Sequence, residues 1–312
     1  MTSHNDDTLT VGIHGPIISS SNVDAHIALF GAFGLSETGR QERSIEETSG
    51  IWGTDGQASL EVTLETPGTP FGVRLVQFTP GADIQIRQPE RGSDSEALKV
   101  IDFYAPDLDE ALKQIEAAGF RFKDEIADYD TPEGRFREAH LWGPDGVVCA
   151  LISGDPDRFE SLATIRDRLV SEPQSISGPV QDQQPVLAYL NDTFGLQVIH
   201  QYGLDDESFD ALVGSDDSMK LRAWNVGTKT SEPYFGIINY GLPAGSQTSA
   251  FTTSRPPARG LLGATLFVRD AALVSQRTGT PSRAQHIPGL GDCTTVTAQG
   301  PNGAWFQAVQ KN

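Results

Sequence analysis

Asp102, Tyr104, Glu138 and His140 bring two carboxylates, a phenol and an imidazole to alternate positions of two short apolar runs. Successive side chains of a strand point to opposite faces, so residues two apart share one face. In residues 100–105 (VIDFYA), Ile101 and Phe103 form the apolar face, which leaves Val100, Asp102 and Tyr104 on the other. In residues 136–142, Ala139 and Leu141 are the apolar pair, leaving Phe136, Glu138, His140 and Trp142 opposite. The two polar faces are expected to line one cavity. A carboxylate beside an imidazole and a phenol is a general acid/base set, and burial moves a carboxyl pKa up toward neutrality. Asp102 or His140 is expected as the base, with Tyr104 donating a hydrogen bond to a developing oxyanion. Phe136 and Trp142 are expected to wall the cavity for a planar or apolar substrate. The competing reading makes all of them hydrogen-bonded structural groups without chemistry.

Other candidates are more isolated. Trp305 and Gln307 share one face of a run near the end of the chain and are expected to line a second cavity. Arg74 can hold a substrate carboxylate through two parallel hydrogen bonds. His200 reads as structural, and His4, His26 and His286 suggest no role. The acidic stretch 205–217 reads as a solvated surface, since a calcium loop needs tighter oxygen spacing. The sequence carries no Gly-rich phosphate loop, no nucleophile elbow and no Cys–His pair. Cys149 and Cys293 lack metal-like spacing and read as two buried thiols.

The elements that must position these residues repeat. Gly143-Pro144-Asp145-Gly146 leads into the apolar run 147–152, and Gly300-Pro301-Asn302-Gly303 leads into 304–309. Each is a tight turn before a strand, closing one half of the chain. Upstream, 12–19, 100–105 and 262–268 read as strands. Helices are expected over 23–33, 110–118 and 185–194 and from Asp270 onward, with caps at Asp107 and at Gly34, Gly119 and Gly195. Strand–helix–three strands therefore recurs four times, in units beginning near residues 10, 97, 172 and 260. The expected division is a first domain over 1–155 (units 10–80 and 97–154), a connecting helix over 156–171, and a second domain over 172–312 (units 172–240 and 260–312).

The strand, the Asp-Leu-Asp helix start, the Gly-Phe stop and the Gly-Pro-Asp-Gly turn of the second unit resemble the vicinal oxygen chelate family, which includes glyoxalases, bleomycin-resistance proteins and extradiol dioxygenases. The resemblance is clear over 97–154, fair over 10–80 and 260–312, and weak over 172–240. It implies an α+β fold, four βαβββ modules forming two open barrels. Whether the first module joins the second or the fourth is left open by it. Metal-using members place a His on the first strand of a module and a Glu on the last. By that correspondence the first-strand positions hold His14, Val100, about Ser175, and Gly263. The last-strand positions hold Val76 or Gln77, Ala150 and Gln307. No pairing supplies two His and a carboxylate, so no metal ligand and no cofactor is assigned, without excluding a divalent ion. His14 would join Asp102 and His140 if modules one and two shared a barrel.

The totals narrow the function class. A net charge of −19 over 312 residues repels phosphate backbones and anionic lipid, which argues against nucleic-acid and membrane partners. No apolar run is long enough for a membrane span, and the polar start lacks a signal-peptide plan. A cytoplasmic monomer or homodimer acting on a small molecule is expected. The leading expectation is a metal-independent isomerase, lyase or cyclase. The alternatives are a protein that sequesters an aromatic ligand, with Trp142 and Trp305 as walls, and an Fe(II) or Mn(II) dioxygenase using His14 with His140.

Overall fold

In the computed structural model, residues 8–88, 92–132, 134–155, 163–215 and 218–312 are described. Four strand–helix–strand modules follow one another. The first holds β1 (Thr10–Ser20), α1 (Val23–Ala32), β2 (Ser36–Arg43), α2 (Ile45–Trp52), β3 (Ala58–Glu65) and β4 (Gly72–Thr79). The second holds β5 (Val100–Tyr104), α3 (Leu108–Ala117), β6 (Phe122–Thr131), β7 (Gly134–Trp142) and β8 (Val148–Gly154). The third holds β9 (Pro173–Pro179), α4 (Gln184–Phe194), β10 (Gln197–Leu204), α5 (Glu207–Val213), β11 (Leu221–Gly227) and β12 (Tyr234–Asn239). The fourth holds β13 (Gly260–Val268), α6 (Ala271–Thr278), β14 (Arg283–Ile287), β15 (Gly291–Gln299) and β16 (Trp305–Lys311).

Local chemistry starts and stops the crossover helices where the sequence signals lie. The Asn22, Asp107 and Asp270 side chains accept hydrogen bonds from backbone amides of the first turns of α1, α3 and α6. Gly195 ends α4 in the left-handed conformation that a side chain disfavours. Two helices were not expected. α2 starts on a capping box between Ser44 and Glu47. α5 starts on Asp206 and buries Phe209, Leu212 and Val213, so the acidic stretch 205–217 carries a packed helix rather than only solvated surface. Its positions 216 and 217 fall outside the described residues. The connecting helix expected over 156–171 is likewise not seen where it can be read: 163–171 is bends and irregular chain, and 156–162 lies outside the described residues.

The modules pair across the chain. One sheet runs β14-β15-β16-β13-β1-β4-β3-β2 and joins modules one and four. The other runs β10-β11-β12-β9-β5-β8-β7-β6 and joins modules two and three. The expected domains of contiguous sequence, 1–155 and 172–312, are therefore not the two sheets. Within each half, the modules meet instead through the helix-covered faces of their strands: Phe33 at the end of α1 packs edge-on against Phe103 of β5 at 4.9 Å, and Phe194 of α4 and Phe235 of β12 pack on Phe306 of β16 at 5.5 and 5.4 Å. One continuous apolar core, from Ile13 and Phe30 through Ile101 and Ile115 to Leu190 and Ala308, fills this helical layer and fastens the two sheets together. The linkers also pair, through bridges Gln85–Arg259 and Ser95–Thr248. Both cysteines are buried free thiols, and no described helix is long and apolar enough to cross a membrane.

Close strand contact at the centre of the first sheet depends on Gly263, where an added Cβ would lie 1.7 Å from the Trp305 carbonyl oxygen. Gly263→Ala is expected to destabilise the protein by about 2 kcal/mol or more, because the obstacle is backbone that cannot rotate away. Urea unfolding followed by circular dichroism measures this, and an unchanged midpoint would refute it.

Candidate functional site

The second sheet curls around a cavity of about 60 Å³ lined by Lys99, Asp102, Tyr129, Glu138, His140, Ser177, Tyr202 and Tyr240, with apolar walls that include Ile152, Phe209 and Ile238. The strand alternation read from the sequence brings Asp102, Glu138 and His140 together as expected. The first strands of modules two and three run antiparallel, with Asp102 opposite Ser175. Asp102 Oδ2 accepts hydrogen bonds from Ser175 Oγ and, at 2.9 Å, from Ser177 Oγ. The Glu138 carboxylate is engaged at both oxygens: Tyr129 Oη donates to Oε2 at 2.9 Å, and His140 Nε2 lies 2.8 Å from Oε1. A carboxylate can only accept, so the His140 proton sits on Nε2.

Electrostatics divide the acidic pair. Burial, reinforced by the neighbouring Glu138 charge, pushes the Asp102 carboxyl up to about 7 against the opposing serine hydrogen bonds. Burial also raises the Glu138 carboxyl, but His140, Lys99 and Tyr129 outweigh it and hold that group below its usual range. Burial and the Lys99 charge lower His140 to about 4, so it is neutral and weakly basic near pH 7. Lys99 is lowered to about 7 by burial, aided by Arg87. Of the two expected bases, Asp102 is the one poised near neutrality.

Sequence reasoning missed Lys99, Tyr129, Ser177, Tyr202 and Tyr240. Lys99 stands just before β5, where strand alternation gives no orientation. Tyr129 and Tyr202 lie on strands, and Tyr240 just after one, of two modules whose pairing decides what they face.

Comparison with protein-family models and with curated proteins gives no match. Solved structures do match. Glyoxalase I from Zea mays superposes with a TM-score of 0.60 at 13% identity, covering 96% of this chain and 92% of that chain. A dioxygenase-like protein from Bacillus subtilis superposes with a TM-score of 0.58 at 9% identity, covering 97% and 86%. This is the vicinal oxygen chelate fold in its tandem, four-module form.

The vicinal oxygen chelate scaffold allows its metal positions to be tested by strand register. First and last strands pair Ile17 with Arg74, Asp102 with Ala150, Ser177 with Gly236, and Thr265 with Gln307. The expected first-strand positions Val100 and Gly263 stand two residues before Asp102 and Thr265, and the expected last-strand positions Val76 and Gln77 pair with Ser19 and Ser20. Val76 is core, and Gln77 accepts a hydrogen bond from the Val23 amide at the start of α1. Ala150 and Gly236 bring no donor atom, and Arg74 brings a cation. Among the described residues no three His, Cys, Asp or Glu side chains converge as a metal site needs. The residues do not fit the fold's metal centre.

Several expected site residues belong elsewhere. Arg74 is buried in the other barrel, where it donates to Thr265 at 3.1 Å and to Gln307, and pairs with Glu61 at 3.3 Å. Arg43 approaches the same Glu61 carboxylate at 3.0 Å, so the two guanidiniums share one carboxylate, and Gln307 accepts from the Arg74 guanidinium. His14 lies in that barrel too, beside Glu65 at 3.5 Å and edge-on to Phe267, and is lowered by burial. It cannot act with Asp102 or His140, because module one pairs with module four. Tyr104, one residue pair along β5 from Asp102, leaves the cavity and packs on Ala163 and Ile152. Phe136 stacks behind Tyr129 at 6.0 Å. Trp142, at the end of β7, is 43% exposed with Lys123 over its ring, so it walls nothing. Trp305 donates to the Ser254 carbonyl at 2.7 Å and edges an open groove of about 380 Å³ that also holds Trp52 and Arg283. His200 stacks on Tyr202 and His26 contacts Asp145 at 3.1 Å, both consistent with structural parts.

Proposed function

We propose that the barrel of modules two and three is the active site of an enzyme that moves a proton on a small, partly apolar organic molecule, in a reaction of isomerase, lyase or cyclase type, without a protein-held metal. The observation that carries this is the Asp102 carboxyl, buried in a cavity with its pKa near 7 while the adjacent Glu138 stays ionised. Two carboxyl groups driven apart in this way divide the roles of proton carrier and fixed charge. Asp102 takes the proton, the two serines orient it, and the Glu138 carboxylate is held by Tyr129 and His140. The hydroxyl of Tyr240, buried without a partner among the described residues, takes the place expected for Tyr104 as donor to a developing oxyanion. The cavity admits a few non-hydrogen atoms as it stands, so a larger substrate requires displacement of Phe209 and the short α5 that carries it.

Proton abstraction next to a carbonyl is read directly as deuterium uptake. The protein in D2O is expected to exchange the α-hydrogens of at least one member of a set of small aldehydes, ketones and 2-oxo acids, followed by proton NMR. Exchange of none of them, or equal exchange by Asp102→Asn, would reject this reading. The aromatic groove at Trp305 favours a second one, sequestration of an aromatic ligand in the other barrel; recovery of that ligand unchanged distinguishes the two. The dioxygenase alternative has no such support, since His14 and His140 stand in different barrels.

A further inference from the structure

We propose that Lys99 is a nucleophile that forms an imine with the carbonyl carbon of a small 2-oxo acid or aldehyde entering the barrel of modules two and three. This deepens the proton-transfer reading above and rests on it. Lys99 is 3% exposed and lines the cavity beside Asp102 and Glu138. Its stem passes Gly92, where an added Cβ would lie 3.2 Å from Lys99 Cε and 2.5 Å from the Val213 carbonyl oxygen at the end of α5.

A buried lysine with a structural task is ordinarily neutralised by a carboxylate. Here both nearby carboxylates are engaged by other groups. Asp102 Oδ2 serves two serines, and the two oxygens of Glu138 serve Tyr129 and His140. Among the described residues, Lys99 Nζ is left with no hydrogen bond and no ion pair. Nearby Arg87 donates from Nη2 to the Gly92 and Ser95 carbonyls while its Nε and Nη1 are buried without a partner among the described residues, and this second cation adds to burial in weakening the hold of the amine on its proton and attracts an anionic substrate. An amine in this state, next to a carboxyl that can give and take a proton, is arranged for addition to a carbonyl.

The step balances with groups already in the cavity. The Nζ lone pair adds to the carbonyl carbon, and the oxygen takes one proton from that nitrogen. Protonated Asp102 supplies a second proton, the C–O bond breaks, water leaves, and an iminium retaining one N–H remains. Its positive nitrogen withdraws electrons from the neighbouring C–H, and the Asp102 carboxylate just formed is the base that removes that hydrogen.

The test is reductive trapping of the intact wild-type protein with glyoxylate and cyanoborohydride at pH 7, followed by peptide mapping. Lys99 is expected to gain the carboxymethyl group about tenfold or more faster than the exposed Lys113 and Lys229. Labelling of Lys99 no faster than Lys113 would overturn the proposal. The deuterium assay separates it from the reading beneath it. Exchange that survives in Lys99→Met leaves proton transfer standing and removes the imine. Trapping at Lys99 without any exchange keeps the imine and removes the proton transfer.

Discussion

Glu61→Gln is expected to destabilise the protein by about 3–5 kcal/mol, the range for removing one partner of a buried ion pair. Glu61 lies between Arg43 at 3.0 Å and Arg74 at 3.3 Å, and Trp52 Nε1 reaches it at 3.4 Å, all in the interior of the first sheet. Losing the carboxylate charge leaves two guanidinium groups facing one another with no counter-ion, Arg74 being 1% exposed. Arg74→Met is the informative comparison. It leaves the Arg43–Glu61 pair neutral, so its cost is expected to stay below about 1.5 kcal/mol despite the lost hydrogen bonds. Urea unfolding of both variants measures the asymmetry. If Arg74→Met costs more than Glu61→Gln, charge balance is not what organises this barrel.

Asp102→Asn is expected to lower deuterium exchange by about 10²–10⁴-fold, the usual contribution of a positioned general base. The same change is expected to make the protein more stable at pH 8. The Asp102 pKa is raised by burial from 3.8 to about 7, so the folded state holds its proton more tightly than the unfolded chain. Its contribution to stability is present in full below about pH 4 and is lost as pH rises through about 7. Above that pH the wild type bears the cost of a buried charge, on the order of 2–4 kcal/mol at one pKa unit per 1.36 kcal/mol. Asparagine removes the charge while its side-chain oxygen still accepts from Ser175 and Ser177. Melting temperatures at pH 4.5 and pH 8 check the sign: the gain should be large at pH 8 and small at pH 4.5. A gain independent of pH would show that Asp102 does not titrate in this range.

The two predictions separate what each barrel does. One interior is filled by a buried network in which Arg74 is already held by Glu61, Thr265 and Gln307. The other keeps a partly neutral acid and an unpaired amine around a small cavity, an arrangement that weakens the fold and has a use only if something binds there.

The sequence alone determined the four repeats, the caps of the crossover helices and the facing of Asp102, Glu138 and His140 on β5 and β7, because period and capping are local properties of a few neighbouring residues. That is why Asp102, Glu138 and His140 were legible as one set. It did not determine which modules share a sheet, since the apolar strands of module one suit module two as well as module four. That decision belongs to the apolar layer between the sheets, where Phe33 at the end of α1 on Phe103 of β5 and Phe194 of α4 on Phe306 of β16 place the sequence neighbours back to back. It sent His14, Arg74 and Gln307 to one barrel and brought Ser175, Ser177, Tyr202 and Tyr240 to Asp102 in the other. Partners 70 or more residues apart carry no local signal, so the reach of Lys99 into that cavity was settled only by the tertiary structure.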